Sequence, residues 1–165
     1  MDDFFVTQSG IKVLRRVEER PYPNALEAPL AGIDRFKGAV LASGYEYPGR
    51  YSRWDIAFLK PPLEIIAYES RFLVRALNER GRLLTEYLFP ALAENPHLER
   101  VERSPSELAG WIKPPSGYFP EEERSKQPSF FSVIRQMMKL FGSPADPHLG
   151  LYGAFGYDLT FQFEP

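Results

Sequence analysis

The chain has 165 residues, of which 44% are apolar and 15% aromatic, enough for one domain, or part of one, with a buried core. Its 20 basic and 22 acidic residues leave a net charge of -2, which is not the composition of a nucleic-acid-binding protein. The absence of cysteine excludes disulfides and thiolate metal sites. The acidic start and the lack of a long apolar run argue against a signal peptide and a membrane helix. We therefore expect a cytoplasmic protein that binds neither nucleic acid nor membranes.

The first part of the chain predicts a hairpin followed by a helix. Residues 4–19 contain two strand-like patterns around a turn at Ser9 and Gly10. Two prolines end this hairpin. Asn24 is a suitable N-cap for a helix over residues 25–36, whose apolar residues recur at helical spacing before Gly38.

Residues 39–68 stand out because two apolar strand patterns flank a loop rich in aromatic residues and arginine. The first strand runs into Ala42 and Ser43, and the second comprises residues 56–59. Small residues let the backbone approach a ligand closely, and an arginine binds a carboxylate through two parallel hydrogen bonds. The pattern therefore suits a small zwitterion. The alternative is a plain hairpin whose arginines pair with Glu46 and Asp55 on the surface.

The middle of the chain predicts further strands, a helix and a connector. Strand patterns at residues 63–68 and 72–77 follow residues 56–59, so we expect three consecutive antiparallel strands. Asn78 to Gly81 is interpreted as a turn, and residues 83–94 as a helix bent at Pro90. Residues 95–127 are polar and rich in proline, which indicates a solvated connector with one short strand over residues 99–102.

The last part predicts one clear helix and an aromatic segment. Ser129 is placed to cap a helix over residues 130–141, and Gly142 to end it. The apolar stripe of that helix includes Met137 and Met138, which we interpret as core residues. Residues 149–163 consist largely of aromatic residues and glycine and predict a strand, a break at Gly156 and a second short element.

A search for catalytic motifs finds no candidate. His97 and His148 are isolated beside prolines and lack a second ligand at metal-binding spacing. The chain has no phosphate-binding loop and no nucleophile elbow. The glycines at 150, 153 and 156 alternate with bulky aromatic residues, which favours close packing over a phosphate loop. We therefore predict no catalytic residue, metal site or cofactor in this chain.

Several motifs resemble anthranilate synthase component I, in particular the amino-terminal part of the form fused to its glutamine amidotransferase. They occur in the expected order and span most of the chain. The motifs are GAVL with Ser43 at residues 38–43, YEYPGRYSRWD at 45–55, PPLEI at 61–65, NERGRLL at 78–84 and GAFGYDLTFQFEP at 153–165. The run at residues 45–55 and the final GAFGYDL are the most specific of them.

The resemblance implies a function and its partners. Anthranilate synthase component I converts chorismate to anthranilate with Mg2+, uses ammonia from a glutamine amidotransferase component, and is inhibited by tryptophan. The chorismate and Mg2+ residues of the family lie in its carboxy-terminal part. The resemblance thus implies that residues 1–165 form the amino-terminal regulatory domain, with 149–165 leading into a chorismate-binding domain absent from this chain.

The resemblance also implies part of the tryptophan site. The family has a Leu-Leu-Glu-Ser strand end followed by a basic residue near a second serine. The matching residues here are Ser43, Ser52 and Arg53, with Glu46 and Arg50 as further candidates. Ala42 stands where many members have glutamate, which removes one carboxylate for the ammonium group of tryptophan, and Glu46 is the candidate replacement.

We expect an α+β fold in which antiparallel strands at residues 4–77 and 149–163 form a sheet or sandwich covered by three helices. Two other functions remain open: a free-standing small-molecule or protein-binding module, and the equivalent segment of aminodeoxychorismate synthase. Seven large apolar side chains between residues 151 and 163 lead us to expect an exposed apolar patch that seeks a partner. The alternative is that this segment folds back as a central strand pair.

Overall fold

The structure is a computed structural model that describes residues 2–21, 24–42, 55–117 and 120–163. The fold is mixed α+β with antiparallel sheets, as expected from the sequence. The chain divides into two compact units, one formed by Met1–Arg16 with Pro62–Pro165 and the other by Val17–Pro61.

The larger unit contains a two-stranded and a four-stranded antiparallel sheet. Strands β1 (Asp2–Val6) and β2 (Lys12–Arg16) form the predicted opening hairpin. The second sheet has the order β5-β6-β8-β7, with β5 at Leu63–Tyr68, β6 at Arg71–Ala76, β7 at Leu98–Arg103 and β8 at Glu107–Ile112. Strands β6 and β8 are not consecutive in sequence, but they pair in the centre of this sheet. The β7–β8 hairpin therefore lies beside β6 rather than beside β5.

Two helices of the larger unit pack against the four-stranded sheet and form its core. They are α2 (Glu79–Ala93) and α3 (Phe130–Phe141). Alternate sheet residues and one stripe of each helix are buried together, as their periods of two and of about 3.6 residues require. The fully or almost fully buried core residues are Phe72, Val74, Leu88, Leu92, Leu98, Leu108, Ile112, Phe130, Val133 and Met137.

The smaller unit contains α1 (Asn24–Gly32) and a hairpin of β3 (Gly38–Ala42) and β4 (Asp55–Leu59). Helix α1 contacts β4. None of the described residues in 17–61 is buried, and all five residues of β4 are half-buried.

Helix α3 confirms the sequence interpretation, whereas the other two helices have different ends. Helix α3 occupies residues 130–141, and Ser129 and Gly142 take the N-cap and C-cap positions. The Ser129 side chain makes no capping hydrogen bond, so the expected side-chain cap was wrong. Of its two methionines, Met137 is buried, but Met138 is 61% exposed, so the prediction that both lie in the core was wrong for Met138. Helix α1 ends at Gly32 rather than at residue 36, and its last turn is followed by hydrogen bonds from the amides of Arg35 and Phe36 to the Gly32 carbonyl.

Helix α2 starts four residues earlier than predicted because Asn78 is its N-cap. The Asn78 side chain accepts a hydrogen bond from the Gly81 amide at 3.0 Å, which satisfies one of the free amides at the helix start. The helix needs glycine at position 81, since a Cβ there would lie 2.0 Å from the Pro62 carbonyl oxygen. The interpretation of residues 78–81 as a turn was therefore wrong.

The prediction of three consecutive antiparallel strands was also wrong. Strand β4 pairs with β3 in one sheet, and β5 pairs with β6 in another. Between β4 and β5, Lys60 has a positive φ of 53° and donates its amide hydrogen to the Lys37 carbonyl. The chain thus leaves the first hairpin before it begins the second.

The predicted connector contains one expected strand and one that was missed. Strand β7 confirms the short strand expected over residues 99–102. Strand β8 was not predicted, although Leu108, Gly110 and Ile112 alternate with less buried residues and face the core. Its pairing with both β6 and β7 makes it a central strand, so the description of residues 95–127 as a solvated connector was wrong for this part.

Residues 149–163 form no strand pair. They run without regular structure to a 3₁₀ helix at Tyr157–Gln162, and a second 3₁₀ helix precedes α3 at Glu121–Lys126. The Phe131 ring contacts the rings of Phe155 and Phe163 at centroid distances of 5.3 and 6.0 Å, which attaches the segment to α3. Phe155 and Tyr157 nevertheless remain 62% and 84% exposed. The predicted exposure is present, but the predicted strands are not.

Candidate functional site

All five predicted tryptophan-site residues lie in the β3–β4 loop, outside the described residues. They are Ser43, Glu46, Arg50, Ser52 and Arg53. The described strands on either side define how this loop begins and ends. Ala42 is the register partner of Asp55, so the twelve residues 43–54 join two directly paired positions. Ala42 and Asp55, the two residues that flank the loop, therefore lie about 5 Å apart at one end of the hairpin.

Close backbone packing fixes the hairpin that carries this loop. A Cβ on Gly38 would lie 2.3 Å from the Phe58 carbonyl oxygen, so the strands need glycine at this register position. Leu59 of β4 contacts α1 near Gly32. The Lys60 ammonium lies 3.8 Å from the centre of the Phe36 ring, a cation–π contact. These contacts fix the end of the hairpin at Gly38 and Leu59, which is opposite the end at Ala42 and Asp55 that carries the loop.

A small cleft lies elsewhere, where the β1–β2 turn meets the end of α3. It has a volume of about 170 Å³ and is lined by Gln8, Ser9, Gln136, Lys139 and Leu140. The Gln8 amide donates to the Gly142 carbonyl at 2.9 Å, and the Ser9 hydroxyl donates to the Leu140 carbonyl. Ligand pockets are usually about 300 to 1,000 Å³, so this cleft is smaller than a typical ligand site. It is better explained as the gap between the β1–β2 turn and the end of α3 where the two pack together.

Ion pairs at the surface account for the shifted pKa values. The Arg15 guanidinium bonds to the Asp3 carboxylate at 2.6 Å and lowers the pKa of Asp3. Arg20 lowers the pKa of Glu18 in the same way, and Glu107 raises the pKa of Arg75. Each shift favours the charged form that the group already has at neutral pH, so these pairs support structure rather than proton transfer.

The two histidines belong to loop structures. The backbone amide of His97 donates to the Asn95 side chain and that of His148 to the Asp146 side chain, both at 3.0 Å. Among residues 2–21, 24–42, 55–117 and 120–163, no three acidic or histidine side chains are grouped so that they could hold a metal ion. No helix in the same ranges is long and apolar enough to cross a bilayer.

The structure brings together one group that sequence reasoning missed. Arg71, Trp111 and Arg100 are register partners on three neighbouring strands. The guanidinium carbons of Arg100 and Arg71 lie 3.9 and 5.1 Å from the centre of the Trp111 ring. Residues 107–112 contain one charged side chain and no alternation of polar and apolar residues, so nothing in the sequence between Pro105 and Pro114 marked this strand.

Fold and site together describe an α+β domain that combines a packed sheet–helix core with a separate loop-bearing hairpin. Comparison with known proteins identifies a relative of the whole chain. This chain is 42% identical, over 161 residues or 98% of its length, to a protein named "Anthranilate synthase" from Azospirillum brasilense. The resemblance recognised from the motifs is thus confirmed, and this chain is related along its length to a part of anthranilate synthase.

The match covers only 22% of the relative. The chain therefore spans about a fifth of the length of the protein that it resembles. No family model matches the chain, and no solved structure matches it significantly.

Proposed function

We propose that this chain is the amino-terminal regulatory segment of an anthranilate synthase, which forms anthranilate from chorismate and glutamine for tryptophan biosynthesis in the cytoplasm. The observation that carries the proposal is the 42% identity over 161 residues to a part of the Azospirillum brasilense enzyme. Residues 1–165 act as the domain that binds tryptophan, and residues 149–165 lead into the chorismate-binding domain. By itself the chain does not form anthranilate.

The β3–β4 loop is the proposed tryptophan-binding element. Tryptophan presents an ammonium group and a carboxylate, so its site needs an acceptor for one and a donor for the other. Glu46 supplies a carboxylate, Arg50 and Arg53 supply guanidinium forks, and Ser43 and Ser52 supply hydroxyls. The pairing of Ala42 with Asp55 closes the loop at one end of the hairpin, so all five candidates belong to one loop of twelve residues.

The remaining steps of the reaction belong to other parts of the enzyme. In this proposal, the chorismate-binding domain holds Mg2+ and chorismate, and a glutamine amidotransferase component, fused or separate, supplies ammonia. The relative is several times longer than the matched segment, which leaves sufficient sequence for both. The role of the present chain is to transmit tryptophan binding to that catalytic part.

A chimera with the Azospirillum brasilense enzyme tests the proposal. The matched segment of that enzyme is replaced by residues 1–165, and anthranilate formation is followed by fluorescence with chorismate, Mg2+ and glutamine. We expect the chimera to form anthranilate and to be inhibited by tryptophan, and the isolated chain to give no rate with ammonia. An active chimera that tryptophan does not inhibit would refute the regulatory role, and a rate from the isolated chain would refute its non-catalytic role.

The Ser43→Phe variant of the chimera tests the inhibitor site. A hydrogen bond to a charged group contributes roughly 1.5 to 3 kcal/mol, so its loss weakens inhibition about tenfold or more. Activity without tryptophan should stay within about twofold. Ser116→Phe, at an exposed serine distant in sequence from the loop, is the matched control and should change neither quantity. An equal loss of activity and inhibition in Ser43→Phe would show that the loop is only structural.

If the chimera is inactive but the isolated chain binds tryptophan in a calorimeter, the chain is a free-standing binding module. The same calorimetry with the Ser43→Phe variant then shows whether the β3–β4 loop contributes to binding. This outcome would refute the enzyme assignment and retain the ligand assignment.

A further inference from the structure

Two buried hydroxyl groups at the start of α3 lack a hydrogen-bond partner. Ser129 is 1% exposed and Ser132 is 5% exposed, and less than 1 Å² of each Oγ atom is accessible to solvent. Among the residues that the structure describes, neither Oγ atom has a donor or an acceptor within hydrogen-bond distance. Burial of a hydroxyl without a hydrogen bond is unfavourable, so native proteins contain few such groups.

Thr85 and Asn95 show how buried polar side chains are paired elsewhere in this chain. The Thr85 hydroxyl, on α2, donates its hydrogen to the Arg82 carbonyl at 2.7 Å. The Asn95 side chain accepts a hydrogen bond from the His97 amide at 3.0 Å. Ser129 and Ser132 are as deeply buried as these residues but have no such bond, so they require a separate explanation.

The backbone brings the two hydroxyl groups to the same end of α3. Ser129 takes the N-cap position with an extended backbone, and Ser132 is the third residue of the helix. The Ser132 amide donates to the Ser129 carbonyl at 2.9 Å, which closes the first turn. Side chains three residues apart on a helix have Cβ atoms about 5 to 6 Å apart. One small molecule between the two hydroxyl groups can therefore bond to both.

The surroundings restrict what this molecule can be. Both Oγ atoms are enclosed, so a partner protein cannot reach them. The buried neighbours on α3, Phe130 and Val133, have no hydrogen-bonding atom in their side chains. Every buried side chain in the described part of the chain is uncharged, so an enclosed anion would have no buried cation to balance it. The ligand is therefore small and neutral, and it both donates and accepts hydrogen bonds.

We propose that the start of α3 binds one enclosed water molecule, which bonds to the Oγ atoms of Ser129 and Ser132. Buried water typically makes about three hydrogen bonds to polar groups that would otherwise be unpaired. The amide of Phe131, the second residue of the helix, has no acceptor inside α3 and is the third polar group at this site. The water molecule thus takes the place of the capping hydrogen bond that the Ser129 side chain does not make.

A double-mutant cycle in urea denaturation of residues 1–165 tests this site. Ser129→Ala and Ser132→Ala each remove one hydrogen bond to the water molecule, and each should raise the equilibrium constant for unfolding about three- to tenfold. Because the two hydroxyl groups share one water molecule, the effects should not add. The second substitution should have an effect at least about threefold smaller in the presence of the first than in the original chain.

Ser116→Ala is the matched control, because Ser116 is exposed and lies outside α3. It should change the unfolding constant by less than about twofold and add to either of the other substitutions. Hydroxyl groups bonded to nothing would give a different result. Their removal would leave the chain equally or more stable, since alanine also favours a helix over serine, and the two effects would add. That result would overturn the proposal.

A crystal structure of the original chain, at a resolution that shows ordered water, tests the site without any variant. We expect a density peak about 2.5 to 3.0 Å from both Oγ atoms. The lack of a peak there would overturn the proposal. Crystals grown in sodium bromide distinguish water from a halide, because an anomalous bromide peak at this position would show that the site binds an anion and would refute the assignment to water.

Discussion

The two units of this molecule differ most clearly in the depth of their packing. In the larger unit, α2 and α3 cover one face of a four-stranded sheet and bury ten large core residues. In Val17–Pro61, none of the described residues is buried. A hairpin and a helix of nine residues cannot exclude water from any side chain on all sides, because a small unit has a high ratio of surface to volume.

The loop that most resembles a functional element is thus attached to the less packed unit. Residues that form binding sites are commonly carried on weakly packed elements, whereas deep cores hold the scaffold. The motif most specific to a protein family, at residues 45–55, and the densely packed core therefore lie in different parts of this chain. Mutations in the two units should therefore differ in their effects on stability.

The largest expected loss of stability comes from Phe72→Ala in the larger unit. The Phe72 side chain is fully buried, covers Gly110 of the neighbouring strand and faces the Phe130 ring at 6.4 Å. Its removal should lower the free energy of unfolding by about 3 to 5 kcal/mol, measured by urea denaturation. A loss below about 1 kcal/mol would mean that the sheet–helix core does not limit stability.

A smaller loss is expected from Gly81→Ala in α2. Alanine favours a helix by about 1 kcal/mol over glycine, but a Cβ here would collide with the Pro62 carbonyl oxygen. We expect a net loss of roughly 1 to 3 kcal/mol in urea denaturation, since overpacking forces the backbone to move. Gly153→Ala is the control, because its Cβ would meet no atom within 4 Å. Stabilisation by Gly81→Ala would contradict the close approach of α2 to Pro62.

Ile56→Ala in β4 should have a still smaller effect. Ile56 is only half-buried, so its truncation removes less apolar surface from water than truncation of a core residue, and we expect a loss of about 1 kcal/mol. Hydrogen exchange followed by mass spectrometry, segment by segment, should show faster exchange in β3 and β4 while β6 and β8 are unchanged. Equal acceleration in all four strands would show that the two units unfold together.

The smallest effect is expected at the Asp3–Arg15 ion pair of the first hairpin. Arg15 lowers the pKa of Asp3 and also bonds to the Ala145 carbonyl at 3.1 Å, which joins the hairpin to the segment after α3. Because the folded pKa is below the unfolded value of about 3.9, the pair stabilises the fold above that pH and loses its contribution as the pH falls through the folded pKa.

Asp3→Asn should therefore lower the melting temperature slightly at pH 7, and this difference should shrink as the pH falls through the lowered pKa of Asp3. The exposed acid Glu122, changed to glutamine, is the control for a general change in net charge. A melting-temperature difference between Asp3→Asn and the original that grows as the pH falls would contradict the assigned pKa direction.

The sequence by itself determined the elements whose pattern is local. The period of apolar residues between Ser129 and Gly142 fixes α3, and the alternation on either side of Ser9-Gly10 fixes the first hairpin. The sequence also determined the relationship to anthranilate synthase, because the motifs are carried by residue identity rather than by contacts. The five candidate residues of the β3–β4 loop follow from that relationship and remain predictions.

Tertiary structure decided everything that depends on a partner distant in sequence. Strand β8 exists because β6 and β7 pair with both of its edges, which no local pattern among the prolines revealed. Residues 149–163 have the composition of strands, yet they pack on Phe131 without pairing, since strand propensity acts only where a neighbouring strand accepts the hydrogen bonds. The stacking of Arg71 and Arg100 on Trp111 is likewise a product of register. These residues are neighbours only because three strands align them, and the free energy that aligns those strands comes from the core on the opposite face of the sheet.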